Sequence, residues 1–114
     1  SGLMYQIQTV ISGRSFFLIF NKTYMIVTIP KEINDGETRV AVTPSTVKEI
    51  IKAGLTVQIE SGAGEGSFIS DNDFTNAGAE ILNSSDKLYQ NTDIILKVIA
   101  PTNKEISLYN DNFL

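Results

Sequence analysis

The chemistry open to this chain is narrow, because its 114 residues include neither histidine nor cysteine. The commonest general base and metal ligand is therefore missing, and so are thiolate chemistry and any disulfide framework. Arg39 is the leading site candidate. A guanidinium binds a carboxylate through two parallel N–H bonds, and nothing else between Lys31 and Lys48 offers that geometry. Glu32, Asp35 and Glu37 lie close by in sequence, so a structural ion pair is an equally open reading of the same arginine. Lys97 falls inside the apolar run Ile94-Ile95-Leu96-Lys97-Val98. Its ammonium is expected to emerge at a strand end or to meet an acid, as a structural or exposed lysine. Asp71 and Asp73 lack a third and fourth oxygen ligand at a recognisable spacing, so helix capping is expected rather than a metal. Gly62-Ala63-Gly64-Glu65-Gly66 invites a dinucleotide-binding reading. The fingerprint needs a third glycine three places after the second, where Ser67 stands, and Glu65 would face a pyrophosphate; a flexible turn is expected instead.

Arg39 has to be positioned by the stretch from Met25 to Pro44. Ile26-Val27-Thr28-Ile29 is a β-branched run suited to a strand buried on both faces, and Pro30, with no N–H to donate, should end its ladder. A polar turn follows at Asn34-Asp35-Gly36-Glu37, where Gly36 can take positive φ. Thr43 as N-cap and Pro44 at the first helical position then start a helix, with Val47, Ile50 and Ile51 on one face and Gly54 as its stop. Strand, charged loop and helix together place Arg39 beside the carboxyl end of a strand, where open parallel sheets bind ligands.

Further elements follow in alternation. Leu55 to Glu60 is the second strand; Ser70 caps a helix ending at Ala77-Gly78; Glu80-Ile81-Leu82 is a short strand. Ser84 or Ser85 caps a short helix through Tyr89, Ile94 to Val98 is a clear strand, and Thr102 with Glu105 forms a capping box for a last helix to about Tyr109. Alternation of this kind predicts an α/β, Rossmann-like (flavodoxin-like) layered fold with a mostly parallel sheet. The ending at Asp111-Asn112-Phe113-Leu114, where another strand is due, reads as a C-terminal truncation.

Composition sets the outer limits. With 42% hydrophobic and 19% charged residues the chain is of ordinary globular composition, and its length allows one domain. A net charge of −4 argues against a general nucleic-acid partner. Residues 1–24 carry Arg14 and Lys22 but no acid, and the apolar run Phe16 to Phe20 is far short of the roughly 20 residues a membrane helix needs. They are read as an N-terminal extension: a cloning scar at Ser1-Gly2, a targeting remnant, or a strand or hairpin around Ser12-Gly13-Arg14 that covers a sheet edge or a neighbouring chain.

Three segments carry a family resemblance. Ile29-Pro30-Lys31-Glu32 followed by Glu37-Thr38-Arg39-Val40-Ala41-Val42-Thr43-Pro44 resembles the amino-terminal signature shared by alanine dehydrogenase and the alpha subunit of proton-translocating NAD(P) transhydrogenase. Val57 to Ser67, and Asp93 to Val98 ahead of Ala100-Pro101, agree with it in order and spacing, so the resemblance covers residues 25–114. In alanine dehydrogenases the arginine of this motif binds the substrate carboxylate, which makes Arg39 a substrate-binding candidate for that branch. The same enzymes carry a second, substrate-contacting lysine two places after the one matched by Lys97, where this chain has Ile99. Lys97-Val98-Ile99-Ala100-Pro101 is more similar to the transhydrogenase version, which makes the alpha subunit the first expectation.

That resemblance implies an enzyme passing hydride between NAD(H) and NADP(H), coupled to proton translocation, of which this piece alone would be inactive. NAD(H) would bind mainly to a Rossmann domain absent here and NADP(H) to a partner domain, with no catalytic, cofactor-binding or metal residue assigned within this chain. The implied partners are the missing NAD-binding domain, the NADP(H)-binding and membrane domains, and a second copy in a homodimer. The implied location is a soluble domain of a membrane-bound complex, in a bacterial cytoplasmic membrane or an organelle inner membrane, mitochondrial in a eukaryote. The alternatives are the N-terminal domain of an alanine dehydrogenase, converting alanine to pyruvate with NAD, and a non-catalytic module on the same scaffold.

Overall fold

The computed structural model describes residues 8–11, 25–33, 36–83, 85–99, 103, 104 and 107. Five strands form one sheet: β1 (Gln8–Ile11), β2 (Ile26–Ile29), β3 (Thr56–Glu60), β4 (Glu80–Leu82) and β5 (Ile94–Lys97). Their order is β1-β5-β2-β3-β4. β2 pairs in parallel with β3 and with β5, β3 pairs in parallel with β4, and β1 lies antiparallel on β5. The expected α/β fold is therefore present, with its parallel part wound outward in both directions from β2. That reversal puts the topological switch point between β2 and β5, at whose carboxyl ends such sheets bind ligands.

β2 earns its central place through composition. All four of its residues are buried, as a β-branched run enclosed on both faces requires. Val27 and Ile29 point to one face with Val57 and Ile59, and there meet Val40, Val42, Val47 and Phe74. The helices on this face are α1 (Pro44–Lys52) and α2 (Asp71–Asn76). Ile95 alternates with Ile94 and Leu96 along β5 and so points the other way, where Leu88 and Tyr89 of α3 (Ser85–Gln90) cover it.

The helix boundaries follow their caps. Thr43 accepts from the Thr46 N–H at 3.2 Å with Pro44 at the first helical position, and Gly54 takes φ +98° after the last turn. α2 has a full capping box: Ser70 Oγ accepts from the Asp73 N–H and an Asp73 oxygen accepts from the Ser70 N–H, both at 3.0 Å. Asp73 is thus the cap expected of it, whereas Asp71 reaches back to accept from Ser61 Oγ at 2.6 Å and the Gly62 N–H at 2.9 Å. The strands from Leu55 and to Val98 are each one residue shorter than expected. Asn103, Lys104 and Ser107 are helical; the capping box at Thr102 and Glu105 lies outside the described residues, as does Ser12-Gly13-Arg14.

The flexible turn expected at Gly62 to Gly66 is instead tightly packed. Residues Glu65–Ser67 form a 3₁₀ turn, and Ser67 Oγ donates to the Thr38 carbonyl at 2.7 Å. A Cβ on Gly66 would lie 2.7 Å from that same carbonyl oxygen, and one on Gly64 would lie 2.6 Å from the Ile69 carbonyl oxygen. These glycines serve close backbone approach rather than mobility. Because the obstacle at Gly66 is main chain, it cannot swing aside. Gly66→Ala should therefore destabilise the chain by about 1–3 kcal/mol, read as a lower urea midpoint; an unchanged midpoint would show that the two loops are not in contact.

Candidate functional site

The residues of the site hang from the carboxyl ends of β2 and β5. Pro30 leaves the ladder, and two residues later the Glu32 side chain turns back under the sheet end with 3% of its surface exposed. One carboxylate oxygen accepts from Lys97 Nζ at 3.1 Å and from the Ile99 N–H at 3.3 Å. The other accepts from the Val98 N–H at 2.9 Å. Lys97, the last residue of β5, is 1% exposed. It meets an acid, one of the two outcomes expected for it, and it does so without emerging into water. Two buried opposite charges offset each other's desolvation only when the remaining donors and acceptors are also filled, and the two backbone N–H groups do that for Glu32.

Arg39 lies farther along the same loop, in the stretch Glu37 to Val42 that leads into α1. Its Nε donates to one Glu37 oxygen at 2.8 Å and its Nη2 to the other at 2.6 Å, a two-pronged ion pair. The Arg39 backbone N–H also donates to Glu37 at 2.8 Å. The side-chain bonds from Arg39, followed by its backbone N–H, hold the Glu37 carboxyl at about 2, down from 4.5. The Glu37 side chain is 8% exposed and that of Arg39 is 40% exposed. Of the three acids proposed for an ion pair, Glu37 pairs with Arg39 among the described residues; Glu32 pairs with Lys97, and Asp35 lies outside the described residues.

Ile99 is half-buried and packs its side chain against the main core. Its contribution to the site is an N–H and an aliphatic wall, without a cation. In the glycine loop the N–H groups of Gly62, Ala63 and Glu65 already donate to Asp71, Glu60 and Gly62, and Gly64 and Gly66 pack against Ile69 and Thr38. The Glu32–Lys97 pair escaped the sequence reading because its members are 65 residues apart. The signal that could have found it is a lysine inside an apolar strand together with an acid just past the neighbouring strand.

A doubly wound sheet carries a buried ion pair where β2 and β5 end and an arginine fork on the loop that follows β2, and comparison with known proteins gives the family. The family model described as "Alanine dehydrogenase/PNT, N-terminal domain" matches residues 28–114. The chain belongs to that family. It is 49% identical over 83 residues to alanine dehydrogenase from Mycolicibacterium smegmatis, covering 73% of this chain and 22% of that one. It is 41% identical over 87 residues to alanine dehydrogenase from Methanococcus maripaludis, covering 76% of this chain and 23% of the relative. Among solved structures, an L-alanine dehydrogenase superposes with a TM-score of 0.67 at 36% identity, covering 74% of this chain and 23% of the other. Transhydrogenase from Sinorhizobium meliloti superposes with a TM-score of 0.64 at 38% identity, covering 74% and 25%. The chain thus spans about a quarter of the length of its relatives. The similarities support the alanine dehydrogenase branch at least as well as the transhydrogenase branch that Ile99 had put first.

Two outcomes test this geometry. Glu32→Gln removes the carboxylate beside a buried ammonium and should cost about 3–5 kcal/mol. Adding Lys97→Met should recover part of that loss in urea unfolding, and strictly additive losses would show that the two side chains do not interact. Glu37, with its folded pKa depressed, contributes stability that is present above its ordinary value of 4.5 and lost as pH falls toward about 2. In Arg39→Gln the Glu37 carboxyl should titrate clearly higher by NMR, although the backbone N–H at position 39 still favours its charged form; a value still near 2 would locate the cause outside the guanidinium.

Proposed function

We propose that this chain is the N-terminal, substrate-side domain of an NAD-dependent alanine dehydrogenase, in which Arg39 receives the carboxylate of alanine or pyruvate. The observation that carries this reading is the Arg39 fork: a guanidinium held by Glu37 on the loop leaving the central strand, with 40% of its side chain open to solvent. The similarity to alanine dehydrogenases across the same residues supports it. Glu37 accepts from Nε and Nη2 of the guanidinium, fixing its plane while leaving the group cationic. A substrate carboxylate brought to the open side would meet a charge that is already oriented. Glu32 and Lys97 hold the end of β5, and with it the aliphatic wall at Ile99, in fixed register with that loop.

The N–H groups of Gly62, Ala63 and Glu65 are already bonded within the protein, which speaks against a dinucleotide on this glycine loop. The proposal therefore assigns NAD to a separate nucleotide-binding domain, and no hydride step runs through the residues described here. A second reading has one specific observation in its favour. Ile99 lacks the ammonium that the resemblance assigns to alanine dehydrogenases at that position, and it packs into the core instead. On that reading the chain belongs to the NAD(H)-binding component of a transhydrogenase. It would act with its own NAD-binding domain, an NADP(H)-binding domain and a membrane domain, as a homodimer at a bacterial or organelle inner membrane.

The two readings separate in the protein that carries this domain together with its nucleotide-binding domain. L-Alanine should drive reduction of NAD, and Arg39→Lys, which keeps the charge but loses the fork, should raise KM for alanine about ten- to a hundredfold. Hydride transfer between NADH and an NADP analogue, with no alanine oxidation, would move the assignment to the second reading. Neither activity would defeat both.

A further inference from the structure

The peptide group between Thr38 and Arg39 is held at both ends. Its N–H, which belongs to Arg39, donates to a Glu37 oxygen at 2.8 Å. Its carbonyl, which belongs to Thr38, accepts from Ser67 Oγ at 2.7 Å. A trans peptide is planar with N–H and C=O pointing in opposite directions, so fixing the carbonyl also fixes where the N–H points. A bond to the carbonyl further polarises the group and strengthens the bond that its N–H gives. The same Glu37 oxygen accepts from Arg39 Nε, also at 2.8 Å, and the other oxygen accepts from Nη2 at 2.6 Å. One unbroken run of hydrogen bonds therefore leads from the Ser67 hydroxyl to the guanidinium plane.

Ser67 is aimed by a strained backbone turn. It ends the 3₁₀ turn Glu65–Ser67, and Phe68 follows at φ 61° and ψ 31°, in the left-handed region. That region is disfavoured for a bulky side chain. The Phe68 ring gains nothing from packing, since the residue is 97% exposed. The gain is in the main chain: the Phe68 N–H donates to the Glu65 carbonyl at 3.0 Å, and the Ile69 N–H donates to the Gly64 carbonyl at 2.9 Å. Strain persists only where the surrounding structure over-determines it, and these bonds close the turn that brings Ser67 against Thr38. We propose that Ser67 is a positioning residue for Arg39: through the Thr38–Arg39 peptide it sets the plane of the fork that receives a carboxylate. Its effect on substrate rests on the reading of Arg39 as the carboxylate binder, whereas its effect on the fork rests on the geometry alone.

Three substitutions separate this role from a merely structural one. Ser67→Ala removes the donor. Phe68→Val keeps the donor but resists the left-handed turn, which a β-branched side chain tolerates least. Phe68→Gly removes the ring and suits the turn. In the chain itself, NMR should find the Glu37 carboxyl titrating above its value of about 2 in Ser67→Ala and Phe68→Val, and unmoved in Phe68→Gly. In the protein that also carries the nucleotide-binding domain, the first two should raise KM for alanine about two- to tenfold, more than they lower kcat. Ser67→Thr, which retains a hydroxyl, should restore most of both readouts. An unmoved Glu37 titration in Ser67→Ala would overturn the proposal, and so would an unchanged KM in a protein whose KM does rise with Arg39→Lys. Should Ser67→Ala fail to fold, Phe68→Val decides by the same two readouts. A shifted Glu37 in a protein that oxidises no alanine would remove the substrate reading and still support Ser67 as the residue that positions the fork.

Discussion

A carboxylate taken out of water at the end of a central strand has to find enough donors to replace its hydration, and Glu32 finds them on the neighbouring strand. The Lys97 ammonium and the N–H groups of Val98 and Ile99 converge on its two oxygens. The contact does more than neutralise a charge. It fastens the segment leaving β2 to the segment leaving β5, across the place where the winding of the sheet changes direction. Whether such a pair adds net stability over an apolar substitute is a separate matter from what it specifies. Here it specifies which loop lies against which strand end, and it keeps the backbone at Ile99 in one register.

The Arg39 fork depends on that frame in a second tier. Its loop is held at one end by Glu32, at the other by the Thr43 cap of α1, and in between by Ser67 Oγ on the Thr38 carbonyl. Gly66 permits this last approach, which makes a residue that first suggests phosphate binding a packing device for the neighbouring loop. Glu37 then completes the local order by gripping the guanidinium from two residues away. Structural ion pair and ligand binder, the two roles open to Arg39 in the sequence, need not conflict: the pair is formed, and the proposed carboxylate would approach from solvent, to which 40% of the side chain is exposed.

What was legible in the sequence was local. A β-branched run closed by Pro30, a Thr43-Pro44 helix start, a Ser70 cap and the alternation of strands and helices each express their physics within a few residues, and each falls within a residue or two of its expected place. The acids at Asp71 and Asp73 were also rightly placed at a helix start, although the tie from Asp71 back to Ser61 and Gly62 needed the fold. The partner of Lys97, the packing of the Gly62 to Gly66 loop against Thr38, and the place of Gln8–Ile11 on β5 all depend on contacts between distant segments. Such contacts leave no periodic trace. A lone lysine in an apolar strand announces that an acid must exist, without saying which.

Hydrogen exchange on the intact chain, read at the Val98 and Ile99 amides, tests the Glu32 clamp most directly. Both residues lie beyond the last residue of β5, so the sheet ladder gives them no protection of its own. With Glu32 holding them, they should exchange as slowly as the amides within β5. Exchange at the rate of an exposed loop would mean that Glu32 does not join the two strand ends, and the site as described would have no frame.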